Sequence, residues 1–190
     1  MNNKYQEAIV AGFLIGLGVI INTVSTNPVV GAVLFSFGLL TIIKLGLPLY
    51  TGRIGFINKE NYKDVFCFLF LNFFGIIICL SIYFLRNYDF IELLVEKANA
   101  KFNNLDIWQF FFSGILCGTL IHFAVKAKET VITIFAVTIF ILIGSDHCIA
   151  DFPYFIAAAN WINLIKFLAV IMGNSCGAII LENLLKKEGN

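Results

Sequence analysis

Residues 8–43 run without one charged side chain, and the polar cluster "NTVSTNP" at 22–28 divides that run in two. Asn and Pro supply the turn, so each part comes near the ~20 residues a helix needs to cross a bilayer. Further apolar runs occupy 65–85 ("VFCFLFLNFFGIIICLSIYFL"), 107–125 ("IWQFFFSGILCGTLIHFAV"), roughly 130–150 and roughly 160–182. The pattern predicts an all-α membrane protein with six transmembrane helices, in a single domain over 1–190. Between the third and fourth runs, "RNYDFIELLVEKANAKFNNLD" is polar and predicts a partly helical connection at the membrane surface. The start, "MNNKYQEAIVAG", leads into no small-residue cleavage pattern, so the first span is expected to be retained and not removed as a signal peptide.

Composition agrees with the pattern. The chain is 59% hydrophobic and 13% charged with 21 Phe, beyond the usual range of soluble domains. A formal net charge of +1 offers no nucleic-acid surface. Cys67, Cys79, Cys117, Cys148 and Cys176 are odd in number, lie in apolar segments and form no CxxC, which makes them packing residues and not a disulfide framework or metal site. With no metal-ligand spacing and no activated-nucleophile arrangement, the sequence does not predict an enzyme.

Charge also suggests an orientation. With the N-terminus inside, Lys4, Arg53, Lys59, Lys63, Lys126, Lys128, Lys186 and Lys187 fall on the cytoplasmic side, against Arg86, Lys97 and Lys101 opposite. That bias predicts both termini in the cytoplasm of a multi-pass protein of the cell's inner (plasma) membrane.

The two halves echo each other. A displacement of 102 positions lays Gly12 and Gly16 over Gly114 and Gly118, and Asn72 and Gly75 over Asn174 and Gly177. Repeats at about 5–85 and 105–185 would each hold three spans, an odd number, so the second would sit inverted. Each half also has a break at the end of its middle span, "GLPLYTGRIG" (46–55) and "GSDHCIADFP" (144–153). Broken backbone at membrane depth must be shielded by protein or line a cavity. His147 in the second break is expensive for a span, and either faces a water-filled cavity or caps the broken helix.

"GLPLYTG" (46–52), "GILCGTLIHFAV" (114–125), "GSDHCIAD" (144–151) and "GNSCG" (173–177), in this order and spacing, resemble the signature segments of the formate/nitrite transporter family. The resemblance runs from "AGFLIGLG" to "GNSCGAIILE". It implies an aquaporin-like fold with interrupted second and fifth helices in an inverted three-plus-three repeat. It also implies a homopentamer in the lipid bilayer with one pore per protomer and no bound cofactor, passing small monovalent anions such as formate, nitrite, hydrosulfide or lactate, often with protons. By position, His147 falls on the family's central pore histidine and Thr51 on the threonine facing it, with Leu49 and Tyr50 alongside. Phe35 and Leu39 correspond to the cytoplasmic constriction, Phe140 to an aromatic of the periplasmic one, and Lys101 to a vestibule lysine. Asn72 and Asn174 match the asparagines of the broken-helix regions, where they are expected to satisfy interrupted backbone groups.

The sequence departs from the family at several points. Asp146 stands where glutamate is usual, Arg53 where a small or amide residue is, and Gly118 and Asp151 each where asparagine is. Asp146 faces either a protomer interface or a helix start. Lys44 either snorkels or pairs with an acid such as Asp151, and Arg53 joins the cytoplasmic basic residues or the inner vestibule. Passage of weak-acid anions, passive or proton-coupled, is the reading carried forward. A water or small neutral-solute channel and a non-transporting membrane protein are the alternatives.

Overall fold

The computed structural model describes residues 3–186; Lys187, counted above among the cytoplasmic basic residues, lies outside them. Nine α-helices occur among the described residues: α1 (Lys4–Val24), α2 (Pro28–Leu45), α3 (Tyr50–Arg53), α4 (Tyr62–Phe84), α5 (Asp89–Asn104), α6 (Ile107–Ala127), α7 (Thr130–Leu142), α8 (Cys148–Ala157) and α9 (Trp161–Leu185), with a 3₁₀ turn at Ile54–Phe56 after α3. Five of them, α1, α2, α4, α6 and α9, are long and apolar enough to cross a membrane. The span expected at 130–150 is interrupted: α7 has 13 residues, about 20 Å of helix, short of the ~30 Å hydrocarbon core.

Local chemistry explains where the helices stop. The α1–α2 turn is tighter than "NTVSTNP" suggested, because α1 continues to Val24. Asn27 then caps α2, its side chain accepting from the backbone N–H groups of Val29 and Val30, with Pro28 at the first helical position. α2 and α7 end alike. Gly46 (φ 70°) and Gly144 (φ 71°) adopt the left-handed conformation that few other residues tolerate. Leu47 N–H then closes on Ile42 O (2.9 Å) and Ser145 N–H on Phe140 O (2.8 Å), the Schellman end of a helix. Three residues later each chain re-enters helix, at Tyr50 and at Cys148.

Packing then fixes the long helices in pairs. α1 lies against α4 and α6 against α9, close enough that a Cβ on Gly12 would overlap the Asn72 carbonyl and one on Gly118 the Asn174 carbonyl. Small residues of this kind let membrane helices approach closely. The equivalence is therefore Gly12 with Gly118, a displacement of 106, and not Gly12 with Gly114. The breaks match at 98, Gly46 with Gly144, and only α4 and α9 keep 102, Asn72 with Asn174. The displacement shifts from helix to helix because the helices differ in length, 18 residues in α2 against 13 in α7 and 4 in α3 against 10 in α8.

α5 is the surface connection, a 16-residue helix that buries Phe90, Leu94, Ala98 and Phe102 at four-residue intervals. Phe37, Phe70, Phe112, Phe135 and Met172, by contrast, project outward from the spans. An outer surface this apolar is that of a multi-pass protein solvated by lipid.

Candidate functional site

The two breaks carry their polar backbone groups into the interior, and one asparagine serves each. Asn72 Oδ1 accepts from Tyr50 N–H (2.8 Å), while its Nδ2 donates to the carbonyls of Pro48 (3.1 Å) and Ala8 (2.7 Å). Asn174 repeats the pattern, accepting from Cys148 N–H (2.8 Å) and donating to Asp146 O (2.8 Å) and Gly114 O (2.9 Å). Both are fully buried. An unpaired amide or carbonyl at this depth costs about 1–3 kcal/mol, so these side chains hold the breaks open as backbone satisfiers.

Held in this way, the N-termini of α3 and α8 face one another. His147 is the N-cap of α8, its Nδ1 accepting from Ala150 N–H (3.1 Å). Its Nε2 is 2.8 Å from Thr51 Oγ1 on α3, with both residues buried. Because Nδ1 accepts, the network assigns the proton of a neutral ring to Nε2, which donates to the threonine hydroxyl. The histidine therefore does both things the sequence left open: one nitrogen caps the broken helix and the other is turned to the opposing helix.

Two cavities flank this bond. One, beside α5, is about 200 Å³ and is lined by Phe35, Phe140, Lys97, Lys101, His147 and Asp151 among others. The other, at the C-terminal end of α2, is about 470 Å³ and is lined by Leu39, Leu49, Gly52, Lys44, Arg53 and Lys128 among others. The Thr51–His147 bond thus joins a wall of the first cavity to the helix that walls the second. Phe35 packs edge-on against Phe140 with ring centres 6.0 Å apart, and Phe140 lies 6.0 Å from the His147 ring. This regroups the expected constrictions, since Phe35 belongs with Phe140 and Leu39 with Leu49. Phe35 is the eighth of the 18 residues of α2, near its middle, and Leu39 is one turn closer to the break. Tyr50 is buried and shares a hydrogen bond with Ser175 (2.8 Å).

Lys101 is not free. Its Nζ hydrogen-bonds Asp151 and lies 2.7 Å from Asp146 Oδ1, and it sits over the Tyr154 ring at 5.8 Å. Burial opposes its charge, but the two facing carboxylates outweigh burial and hold its pKa above the ordinary lysine value. Lys97, donating to Thr23 O (2.7 Å), is pushed the other way by burial. Asp151 is therefore the partner of Lys101 and not of Lys44, which donates instead to Lys128 O (3.2 Å). Asp146, fully buried, faces Lys101. Arg53 lines the second cavity and donates to Gly46 O (2.8 Å).

Sequence reasoning missed this triad because its members come from α5, the second break and α8, with Lys101 and Asp151 fifty positions apart. The signal in the sequence was an aspartate, Asp151, standing in a break where asparagine was expected. A second ionic group was also missed. Buried His122 on α6 meets Glu182 on α9 (2.9 Å), which also takes Lys126 (2.7 Å). It stands apart from both cavities, beneath Gly55 and Phe56.

Fold and site together define an all-helical, multi-pass membrane protein whose two facing helix breaks meet in a buried His–Thr bond between two cavities. The description "Formate/nitrite transporter" matches residues 2–186, so the chain belongs to the formate/nitrite transporter family, of which it is a short and divergent member. Among solved structures it is similar to one described as "Pentameric formate channel with formate bound" (TM-score 0.82, 20% identity, 96% of this chain and 94% of that one). It is also similar to one described as "FNT family ion channel" (TM-score 0.81, 19% identity, 96% and 88%). No curated protein matches the sequence.

Proposed function

We propose that each protomer passes small monovalent anions of weak acids, formate among them, along a path from one cavity to the other past Thr51 and His147. The hydrogen bond between these two residues carries the reading. It puts an N–H donor and a hydroxyl where the apolar walls of Phe35 and Phe140 on one side, and Leu39 and Leu49 on the other, close together.

Magnitudes decide the form in which the anion crosses. Two hydrogen bonds to a charged group contribute about 3–6 kcal/mol, whereas an isolated carboxylate in an apolar medium costs tens of kcal/mol. Donors alone do not offset that cost, so a proton accompanies the anion through the narrowest part. His147 offers its Nε2 proton without a fixed positive charge that would trap the anion. Its cap on Ala150 N–H keeps the ring aimed while Thr51 exchanges its bond for one to the substrate.

The architecture that supports this path is six spans in an inverted three-plus-three repeat, α7 and α8 together making the fifth. The shared Asn72 and Asn174 wiring and the twin ends at Gly46 and Gly144 support that repeat. Lys4, Lys44, Arg53 and Lys128 gather at one end through bonds to Asp64, Lys128 O and Gly46 O, which supports both termini in the cytoplasm of a plasma-membrane protein. Lys166, donating to Phe102 O, joins Lys97 and Lys101 at the other end. A homopentamer, like the pentameric assembly of the similar formate channel, would cover part of the outward apolar surface.

Vesicles carrying the purified protein, placed in an inward gradient of formate, nitrite, hydrosulfide or acetate at two pH values, test the reading. Anion entry well above that of empty vesicles is expected for at least one of them. Swelling with water or neutral solutes but no anion entry would replace it with a neutral-solute channel.

A further inference from the structure

The charges of the triad beside α5 do not balance among themselves. Lys101 faces two carboxylates, Asp146 at 0% exposure and Asp151 at 5%. The second oxygens, Asp146 Oδ2 and Asp151 Oδ2, have no hydrogen-bond partner among the described residues. Ser145, which lines the same cavity, has a buried Oγ that also lacks a partner there.

Among the described residues no second cation pairs with these carboxylates. On α5, Lys97 lines the same cavity but directs its ammonium to Thr23 O, and on α8 Tyr154 shares its hydroxyl with Thr23 Oγ1 (2.6 Å). His147 has both nitrogens engaged, on Ala150 N–H and on Thr51. The remaining titratable groups are the buried thiols of Cys117 on α6 and Cys148 on α8, and Tyr50 on α3, bonded to Ser175. A buried, unpaired carboxylate is costly, and two carboxylates crowded at one site resolve the cost by sharing a proton.

We propose that Asp146 and Asp151 hold one proton between them against Lys101, making this cavity a proton-binding site whose occupancy admits or repels an arriving anion. With the proton in place the triad is neutral. Without it the triad carries one net negative charge beside His147, and a second anion is turned away. Asp151 is then a specificity-determining residue. An asparagine there would leave Lys101 balanced by Asp146 alone, and admission would no longer follow pH. The admission part rests on the anion-path reading above, whereas the proton site does not.

Infrared spectra of the purified protein test the site without transport. A protonated-carboxyl C=O band is expected near neutral pH in the wild type, fading as pH rises, and absent in both Asp151→Asn and Asp146→Asn. Asp146→Asn keeps the backbone bonds of residue 146 to Ser113 and Asn174, so it guards against a folding failure of the first variant. Absence of the band in the wild type, or its persistence in both variants, overturns the proposal. In vesicles, the ratio of Asp151→Asn to wild-type formate entry should climb by about tenfold per pH unit above the point where the band fades. Taking a ratio cancels the pH dependence of the substrate itself. A flat ratio overturns the link to admission. A variant-sensitive band with no anion entry in any protein supports the proton site and removes the anion path instead.

Discussion

Replacing Asn174 by alanine removes one amide and three hydrogen bonds, to Cys148 N–H, Asp146 O and Gly114 O. The three losses are unequal. Gly114 lies inside α6 and keeps its helical partner, whereas Cys148 N–H and Asp146 O belong to the break and have no helix to fall back on. Two orphaned groups at about 1–3 kcal/mol each put the cost at about 2–6 kcal/mol, with no water in the hydrocarbon to soften it. Unfolding in mixed detergent micelles, followed by circular dichroism, measures it. Asn72→Ala should cost the same, since it strands Tyr50 N–H and Pro48 O in the same way. Asn174→Asp, which turns a buried carboxyl group toward the carbonyls of Gly114 and Asp146, should cost at least as much as alanine. A loss under about 1 kcal/mol for Asn174→Ala would refute the claim that this amide holds the second break open.

Other consequences are as specific. Thr51→Val keeps the side chain's shape but removes the hydroxyl at 2.8 Å from His147; formate entry should fall at least tenfold while stability drops by only about 1 kcal/mol, read by vesicle flux and detergent unfolding together. Gly12→Ala and Gly118→Ala each push a methyl into a backbone carbonyl of the facing helix and should destabilise by about 1–3 kcal/mol, whereas an alanine at Gly16, which meets mainly the Cys79 side chain, should cost less. Gly46→Ala and Gly144→Ala meet no neighbour within 4 Å but must hold φ near 70°, so each should cost about 1–2 kcal/mol by the same unfolding assay.

Much of this was legible in the chain, and the rest was not for identifiable reasons. The breaks announced themselves because Gly, Pro and polar residues interrupt long apolar runs at 46–55 and 144–153. The two asparagines were legible as a pair because α4 and α9 kept their spacing. Gly12 and Gly118 were mismatched because the helices themselves differ in length, α2 having 18 residues and α7 13, and no single displacement reads through that. Phe35 was grouped with Leu39 by the family resemblance; which cavity each faces depends on how α2 packs against α7. The Lys101 triad needed α5 to fold back over α8, a docking that hydrophobic pattern alone does not specify. Asp151, considered from sequence as a partner of Lys44, turned out to be the partner of Lys101.

The account stands or falls on whether anions pass His147. The most direct measurement is the initial rate of labelled-formate entry into vesicles carrying equal amounts of folded wild-type protein or His147→Ala. Alanine removes the Nε2–H donor to the anion and the neutral cap on Ala150 N–H, so the rate should drop about ten- to a hundredfold, the equivalent of one charge-assisted hydrogen bond. Equal rates in the two proteins would contradict the account.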